Sequence, residues 1–264
     1  MLGISSRSSA AVNVMVLTVQ KAATGLIRDF GELEKLQVSA KDFGNFVTTA
    51  DQRSERLLID ELSKARPEYD ILSEERGEVP ARQPRSKFDQ NGGYKWIIDP
   101  LDGTMNFLHG IPHFAVSVAL SHHDEVIAGV VFNPITNELY WGERGAGAFL
   151  NNRRIRVSGR RAMASAIVAT GSTFGFRGRD DGHARLNAIS KRIGAIRHFG
   201  ATSLDLAFVA SGKMDAFFDA RTNAWDTAAG EILVKEAGGS VSPYGDGIVA
   251  SNLSMHDELK GILE

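Results

Sequence analysis

Two periodicities divide this chain. Near the start, Val12, Met15, Val16, Val19, Ala23, Leu26 and Ile27 recur at intervals of three and four, while Asn13, Gln20 and Lys21 fall mostly on the other side. That spacing predicts a packed amphipathic helix, capped near Ser8 or Ser9. A second helix is expected over 52–64, after Asp51, with Leu57, Leu58, Ile59 and Leu62 on its apolar side. Elsewhere the apolar residues come in short unbroken runs that stop at turn residues, which is how buried strands read. Such runs end at Val47, Leu72 and Ile98, and two more cover 114–120 and 126–132. His122-His123-Asp124-Glu125 is the expected hairpin turn between the last pair. Residues 138–141 and 148–150 extend that sheet, and from Ile167 onward strands alternate with helices over 181–193, 203–211 and 227–237, the last ended by Gly238-Gly239. The polar stretch 76–93, with Pro80, Pro84 and Gly92-Gly93, reads as an exposed loop. No repeat or low-complexity linker interrupts this α/β pattern.

Composition narrows the choice only slightly. At 264 residues, 43% hydrophobic and 23% charged, the chain is globular and long enough for one large α/β domain or two small ones. A formal charge of −2 provides no general footprint for nucleic acid or a membrane surface. The absence of cysteine excludes disulfides, thiol nucleophiles and zinc–thiolate sites, and is compatible with a cytoplasmic location. Residues 10–19, preceded by Arg7, have the apolar content of a signal-peptide core, but the amphipathic pattern continues past them without a clear cleavage site. No run approaches the roughly twenty apolar residues that span a bilayer.

The candidate chemistry is concentrated in Trp96-Ile97-Ile98-Asp99-Pro100-Leu101-Asp102-Gly103-Thr104. An apolar strand ends at Asp99 and Asp102, which flank a tight turn. Pro100 has no N–H and is expected to take the chain out of the sheet. Gly103 allows a ligand close to the backbone, and Thr104 is suited to open a short helix through 105–107, bringing a hydroxyl and N–H groups beside the carboxylates. Oxygen ligands for a hard cation thus adjoin an anion cradle, a combination that suits a metal-bound phosphate. Ile71-Leu72-Ser73-Glu74-Glu75 repeats the design, with acids at the carboxyl end of a strand. Asp51 follows a strand-like run, and Asp226 stands at a helix start in Ala224-Trp225-Asp226-Thr227. Taken singly, Asp51 and Asp226 fit helix caps, and Glu74 or Glu75 fits a solvated loop acid. Two negative charges about 4 Å apart repel by roughly 4 kcal/mol at an effective dielectric of about 20. Gathering several such acids on one point would be costly unless divalent cations filled the gaps, and oxygen-only ligation would favour magnesium over zinc. The seven histidines are scattered, and Arg153, Arg154, Arg156, Arg160 and Arg161 read as a solvated edge and turn.

These residues resemble the inositol monophosphatase family of magnesium-dependent, lithium-sensitive phosphomonoesterases, particularly its bacterial members. The similarity runs from the Lys41 region to Gly238-Gly239, with the pieces in family order: an acid after Val47-Thr48, then Glu74-Glu75, then Asp99 to Thr104, then Trp225-Asp226. Asn106-Phe107 leans toward the inositol phosphatase branch rather than relatives acting on fructose bisphosphate or phosphoadenosine phosphate. The resemblance implies an αβαβα sandwich with halves of about 1–157 and 158–264, two or three magnesium ions and a cytoplasmic homodimer. It implies one ion on Glu74, Asp99 and the carbonyl of Leu101, a second on Asp99, Asp102 and Asp226, and a weaker third near Glu74. Asp51, Glu74 and Thr104 would act on the attacking water. Gly103, Thr104 and Met105 would hold phosphate, and Lys41 would sit on a mobile loop. Substrate would also meet Asp102, Asp226, Gly200, Ala201, Thr202 and Asp219. The order Ala201-Thr202 and the shorter acid Asp219 depart from inositol-selective members. The same chemistry on histidinol phosphate, a sugar bisphosphate or a nucleotide phosphate is one alternative, and a transcription-associated accessory protein retaining the fold is another.

Overall fold

A computed structural model describes residues 8–42, 45–83, 93–171 and 182–263. Helix α1 (Ala10–Phe30) is capped by Ser9, whose hydroxyl accepts the Val12 N–H. The predicted face is buried apart from Ile27, which is 47% exposed. Seven residues after Gln20, Ile27 repeats that residue's angular position and borders the same outer groove with Thr24. By length and composition α1 could cross a membrane, contrary to the expectation that no segment approaches that size. Its buried face packs against a sheet instead, as a core helix does.

After α1 come β1 (Val38–Asp42), β2 (Asn45–Thr48), α2 (Thr49–Ala65), β3 (Asp70–Ser73), β4 (Gly77–Val79), β5 (Tyr94–Asp102) and α3 (Thr104–Leu108). A run of strands follows: β6 (Ala115–His122), β7 (Glu125–Asn133), β8 (Glu138–Glu143), β9 (Gly147–Leu150) and β10 (Arg153–Ile155). The order β10-β9-β8-β7-β6-β5-β3-β4 forms an eight-stranded sheet, antiparallel except for β3 beside β5. The short strand β4 corrects the reading of 76–93 as loop throughout; residues 84–92 of that stretch lie outside the described residues. His123 and Asp124 both have positive φ, as a tight hairpin of right-twisted strands requires.

The remaining elements are β11 (Ile167–Thr170), α4 (Gly182–Ser190), β12 (Ala195–Arg197), α5 (Thr202–Ala210), β13 (Ala216–Asp219), α6 (Ala224–Glu236), β14 (Gly239–Tyr244), β15 (Gly247–Asn252) and α7 (His256–Leu263). The second sheet has the order β12-β11-β13-β15-β14. Helices α1 and α2 cover one face of the first sheet, α5 and α6 lie between the sheets, and α4 and α7 cover the far face of the second. This is the expected αβαβα layering.

Burial on both faces explains why the strands read as unbroken apolar runs. Trp96, Ile98, Val116, Val118 and Val130 point to the α1/α2 core, while Ile97, Ala115, Ala119 and Val131 point to α5 and α6. The inner face carries small residues because α6 comes close. A Cβ on Gly129 would stand 2.7 Å from the Ala229 Cα. Arg160, expected in solvent, donates to the fully buried Asp215 at 2.9 Å and ties the segment after β10 to the second sheet.

Candidate active site

Parallel pairing of β3 with β5 sets Ser73 opposite Ile98, so the residues just beyond both strands adjoin. Glu74 donates its N–H to the Ile98 carbonyl at 3.3 Å and reaches the same cleft as Asp99. Pro100 does not end β5. The strand continues through a bulge between Asp99 and Asp102, and Asp102 pairs with Ala115. A bulge leaves one residue outside the ladder, so the missing proline N–H costs nothing there. The bulge is held by the Leu101 N–H on Asp99 Oδ1 at 3.0 Å and by Ser54 Oγ donating to the Pro100 carbonyl at 2.8 Å.

Gly103 follows with φ +92° and caps α3. A side chain there would be strained, and its Cβ would meet the His113 carbonyl at 3.0 Å and Ala201 at 3.2 Å. Thr104 Oγ1 then lies 3.0 Å from Asp51 Oδ1 and 3.1 Å from the Leu101 carbonyl oxygen. Its one proton serves one of them at a time. Asp51 enters from α2, which begins at Thr49, and its Oδ2 accepts the Thr48 N–H at 2.8 Å and hydroxyl at 2.5 Å. Asp226 holds the matching position in α6, where its Oδ2 accepts the Asn223 N–H at 2.7 Å. Both helices start earlier than the sequence suggests, placing these acids inside the first turn.

Asp102 is gripped from a hundred residues away. Its oxygens accept the N–H groups of Thr202 and Ser203 at 3.2 and 2.8 Å, and the Ser203 hydroxyl at 2.5 Å. The start of α5 thereby faces a carboxylate, a favourable placement for the helix dipole.

Glu74, Asp99, Leu101, Asp102, Gly103, Thr104 and Met105 line one side of a cleft of about 410 Å³. Gly200, Thr202, Asp219 and Asp226 also line it, together with His198, Arg221 and Thr222. Asp51 is buried behind Thr104, and Ala201 is buried against Gly103 rather than in the lining. The side chain of Lys41 lies outside the described residues. Burial, and then repulsion by Glu74, Asp102 and Asp226, holds the Asp99 carboxyl well above its usual range. Burial likewise pushes Asp102 and Asp226 up to about 6, against the hydrogen bonds that Ser203 and Asn223 donate. Asp51 is raised chiefly by burial.

Several supporting residues escaped the sequence reading. Ser54 holds the bulge, and buried Glu55 accepts from the Ser73 hydroxyl and the Arg76 N–H, steadying the approach to Glu74. Polar residues among the apolar positions of α2 were the available signal. Ser203 left none, and Asn106 reads only as a mark of the family branch, not for its bonds. Asn106 donates to the carbonyls of His113 and Phe199 at 2.8 and 2.7 Å, linking the two walls of the cleft.

The model of the inositol monophosphatase family matches residues 9–259. An inositol-1-monophosphatase of Rhizobium meliloti (strain 1021) is 49% identical over 232 residues, covering 88% of this chain and 84% of that protein. Nus factor SuhB of Escherichia coli (strain K12) is 36% identical over 272 residues, covering 96% of this chain and 98% of that protein. The crystal structure of extragenic suppressor protein suhB from Bartonella henselae superposes with a TM-score of 0.89 at 42% identity, covering 97% of this chain and 99% of that one. The chain belongs to the inositol monophosphatase family.

Proposed function

We propose that this phosphoric monoester hydrolase cleaves inositol monophosphate or a similar polyol phosphate by direct in-line attack of water. The carrying observation is the convergence of Asp99, Asp102 and Asp226 with Glu74 on one cleft, where burial disfavours the charged carboxylates. A hard divalent cation would relieve that cost, and the oxygen-only donor set suits magnesium. As placed, the described carboxylates do not yet close into a group of three ligands, so Asp99, Asp102 and Asp226 would have to draw together on an ion, with waters completing its shell.

Glu74, Asp99 and the Leu101 carbonyl would hold one ion, Asp99, Asp102 and Asp226 a second, with a weaker third near Glu74. Bound there, magnesium would supply charge neutralisation for the phosphate and acidify the attacking water. Asp51, whose burial makes it a stronger base than an ordinary carboxylate, would accept the Thr104 proton. The Thr104 oxygen would then accept a proton from the attacking water, oriented beside Glu74. The N–H groups of Gly103, Thr104 and Met105 would hold phosphate oxygens. Asp219, Gly200 and Thr202 would meet the alcohol, with Ala201 supporting Gly103 from behind. The two halves would act as one catalytic unit within a cytoplasmic homodimer.

Phosphate release from inositol monophosphate tests this reading. Magnesium should support turnover, a chelator should abolish it, and lithium should inhibit. Full activity after thorough chelation would sink the mechanism. Relatives named Nus factor SuhB make an accessory role in transcription the second reading. Partner capture from lysate by a protein without turnover would favour it.

A further inference from the structure

The end of α1, the turn after it and the start of α2 enclose a pocket of about 380 Å³. Arg28, Asp29, Glu32, Lys35, Leu36 and Arg53 line it, and none of them borders the carboxylate cleft. Asp29 is buried and holds both arginines, which are exposed. Arg28 Nε and Nη2 donate to its Oδ1 at 3.1 and 3.0 Å, and Arg53 Nη2 donates to its Oδ2 at 2.7 Å. The two guanidiniums are therefore neighbours, aligned by one carboxylate.

One carboxylate neutralises only one guanidinium. Lys35 and Glu32, 3.1 Å apart, balance each other, so the lining keeps an excess positive charge. Three residues beyond Arg53, and so on the same side of α2, Arg56 is exposed and has no acidic partner among the described residues. Donors are left over as well. A guanidinium has five N–H groups; Arg53 commits one and Arg28 two to Asp29, and neither has another partner among the described residues. The carbonyls at the end of α1, which would repel an anion, are taken up by the N–H groups of Gly31 and Glu32.

We infer that this pocket is a second anion site, outside the cleft, for the phosphate dianion of a small molecule. Arg28 and Arg53 clasp it through parallel N–H groups, and Lys35 adds a point charge. Buried Asp29 sets the guanidiniums in place beforehand, which spares part of the ordering cost of binding. Arg53 stands between Asp51 and Ser54, whose side chains turn inward to Thr104 and the Pro100 carbonyl. An occupied site thus bears on the turn of α2 that supports the cleft. The inference goes beyond the phosphatase reading and does not depend on it.

The test titrates inorganic phosphate into the full chain without divalent cations, at constant ionic strength in chloride so that screening is held fixed. Without cations the carboxylates of the cleft repel phosphate, so binding reports the pocket. Calorimetry should show saturable binding in wild type, and Arg28→Gln and Arg53→Gln should each weaken it about tenfold. Each variant leaves Asp29 one arginine, and melting temperatures in chloride check that both are folded. Glycerol phosphate is the second arm: tighter binding than inorganic phosphate assigns the site to an ester, weaker binding to the free ion, and either supports the inference. No saturable binding in wild type, or binding that survives both substitutions, overturns it and leaves the phosphatase reading untouched.

Discussion

The first turns of α2 and α6 use the same local device and arrive at different chemistry. In each, an aspartate returns its carboxylate to the N–H of the capping residue, Asp51 to Thr48 and Asp226 to Asn223. What stands opposite differs. Asp51 faces the Thr104 hydroxyl at 3.0 Å, a group able to pass on a proton. Asp226 faces other acids, with Asp102 and Asp219 both pushing its carboxyl upward after burial has done so. A capping box therefore says where an acid sits along a helix and nothing about its task. The opposing surface assigns that.

The largest effect expected from breaking this contrast is on the acid side. Asp226→Asn or Asp99→Asn should lower kcat/KM by about a thousandfold or more if, as proposed, each is a metal ligand. The metal-free variants should melt at or above the wild-type temperature near neutral pH, because a buried charge has been removed. A metal-free Asp99→Asn protein that unfolds far more readily would make that residue structural instead.

The next effect is on stability and needs no substrate. The folded carboxyls of Asp102 and Asp226 lie near 6 against a reference of 3.8, so the folded state binds protons more tightly across that interval. Their contribution is fully present below the unfolded value and is lost as pH rises through about 6, by roughly 3 kcal/mol for each isolated group and less when the two are coupled. Urea unfolding of metal-free protein should thus show these sites favouring about pH 5 over about pH 7.5, and Asp226→Asn should flatten the difference. Saturating magnesium should reverse it by binding only the folded carboxylates. An identical pH profile in Asp226→Asn would contradict the assignment.

Asp51→Asn sharpens the other arm. Activity should fall about a hundredfold, as for a lost general base. The rise in melting temperature produced by magnesium should survive in this variant and shrink in Asp226→Asn. Loss of that rise in both would mean that Asp51 serves the ions as well. The smallest effect is at the far wall, where Asp219→Ala should cost roughly tenfold on inositol monophosphate and less on nitrophenyl phosphate, which has no ring hydroxyls. Equal losses on both would move Asp219 out of substrate contact.

Strands, most helices and the acids of the cleft were legible because each is written within a few residues. Where reading failed, a longer-range partner intervened. Pro100 looks like the end of a strand, but Ser54 from α2 and the Asp99 carboxylate hold the bulge that lets β5 continue. Ile27 looks like a core position until the sheet beneath α1 defines which side is inward. Arg160 reads as a solvent charge because nothing near it in sequence announces Asp215.

Local rules determined which residues could do chemistry: carboxylates after strands, a glycine with φ +92° before a short helix, and aspartates in two first turns. Only tertiary structure decided that they act together. Asp102 and Ser203 are 101 positions apart, and Asp51 and Thr104 are 53 apart. Buried carboxylates repel, so no local preference would gather them. The layers do so because apolar burial on both faces of the first sheet and around α5 and α6 outweighs that repulsion, which the proposed cations would relieve.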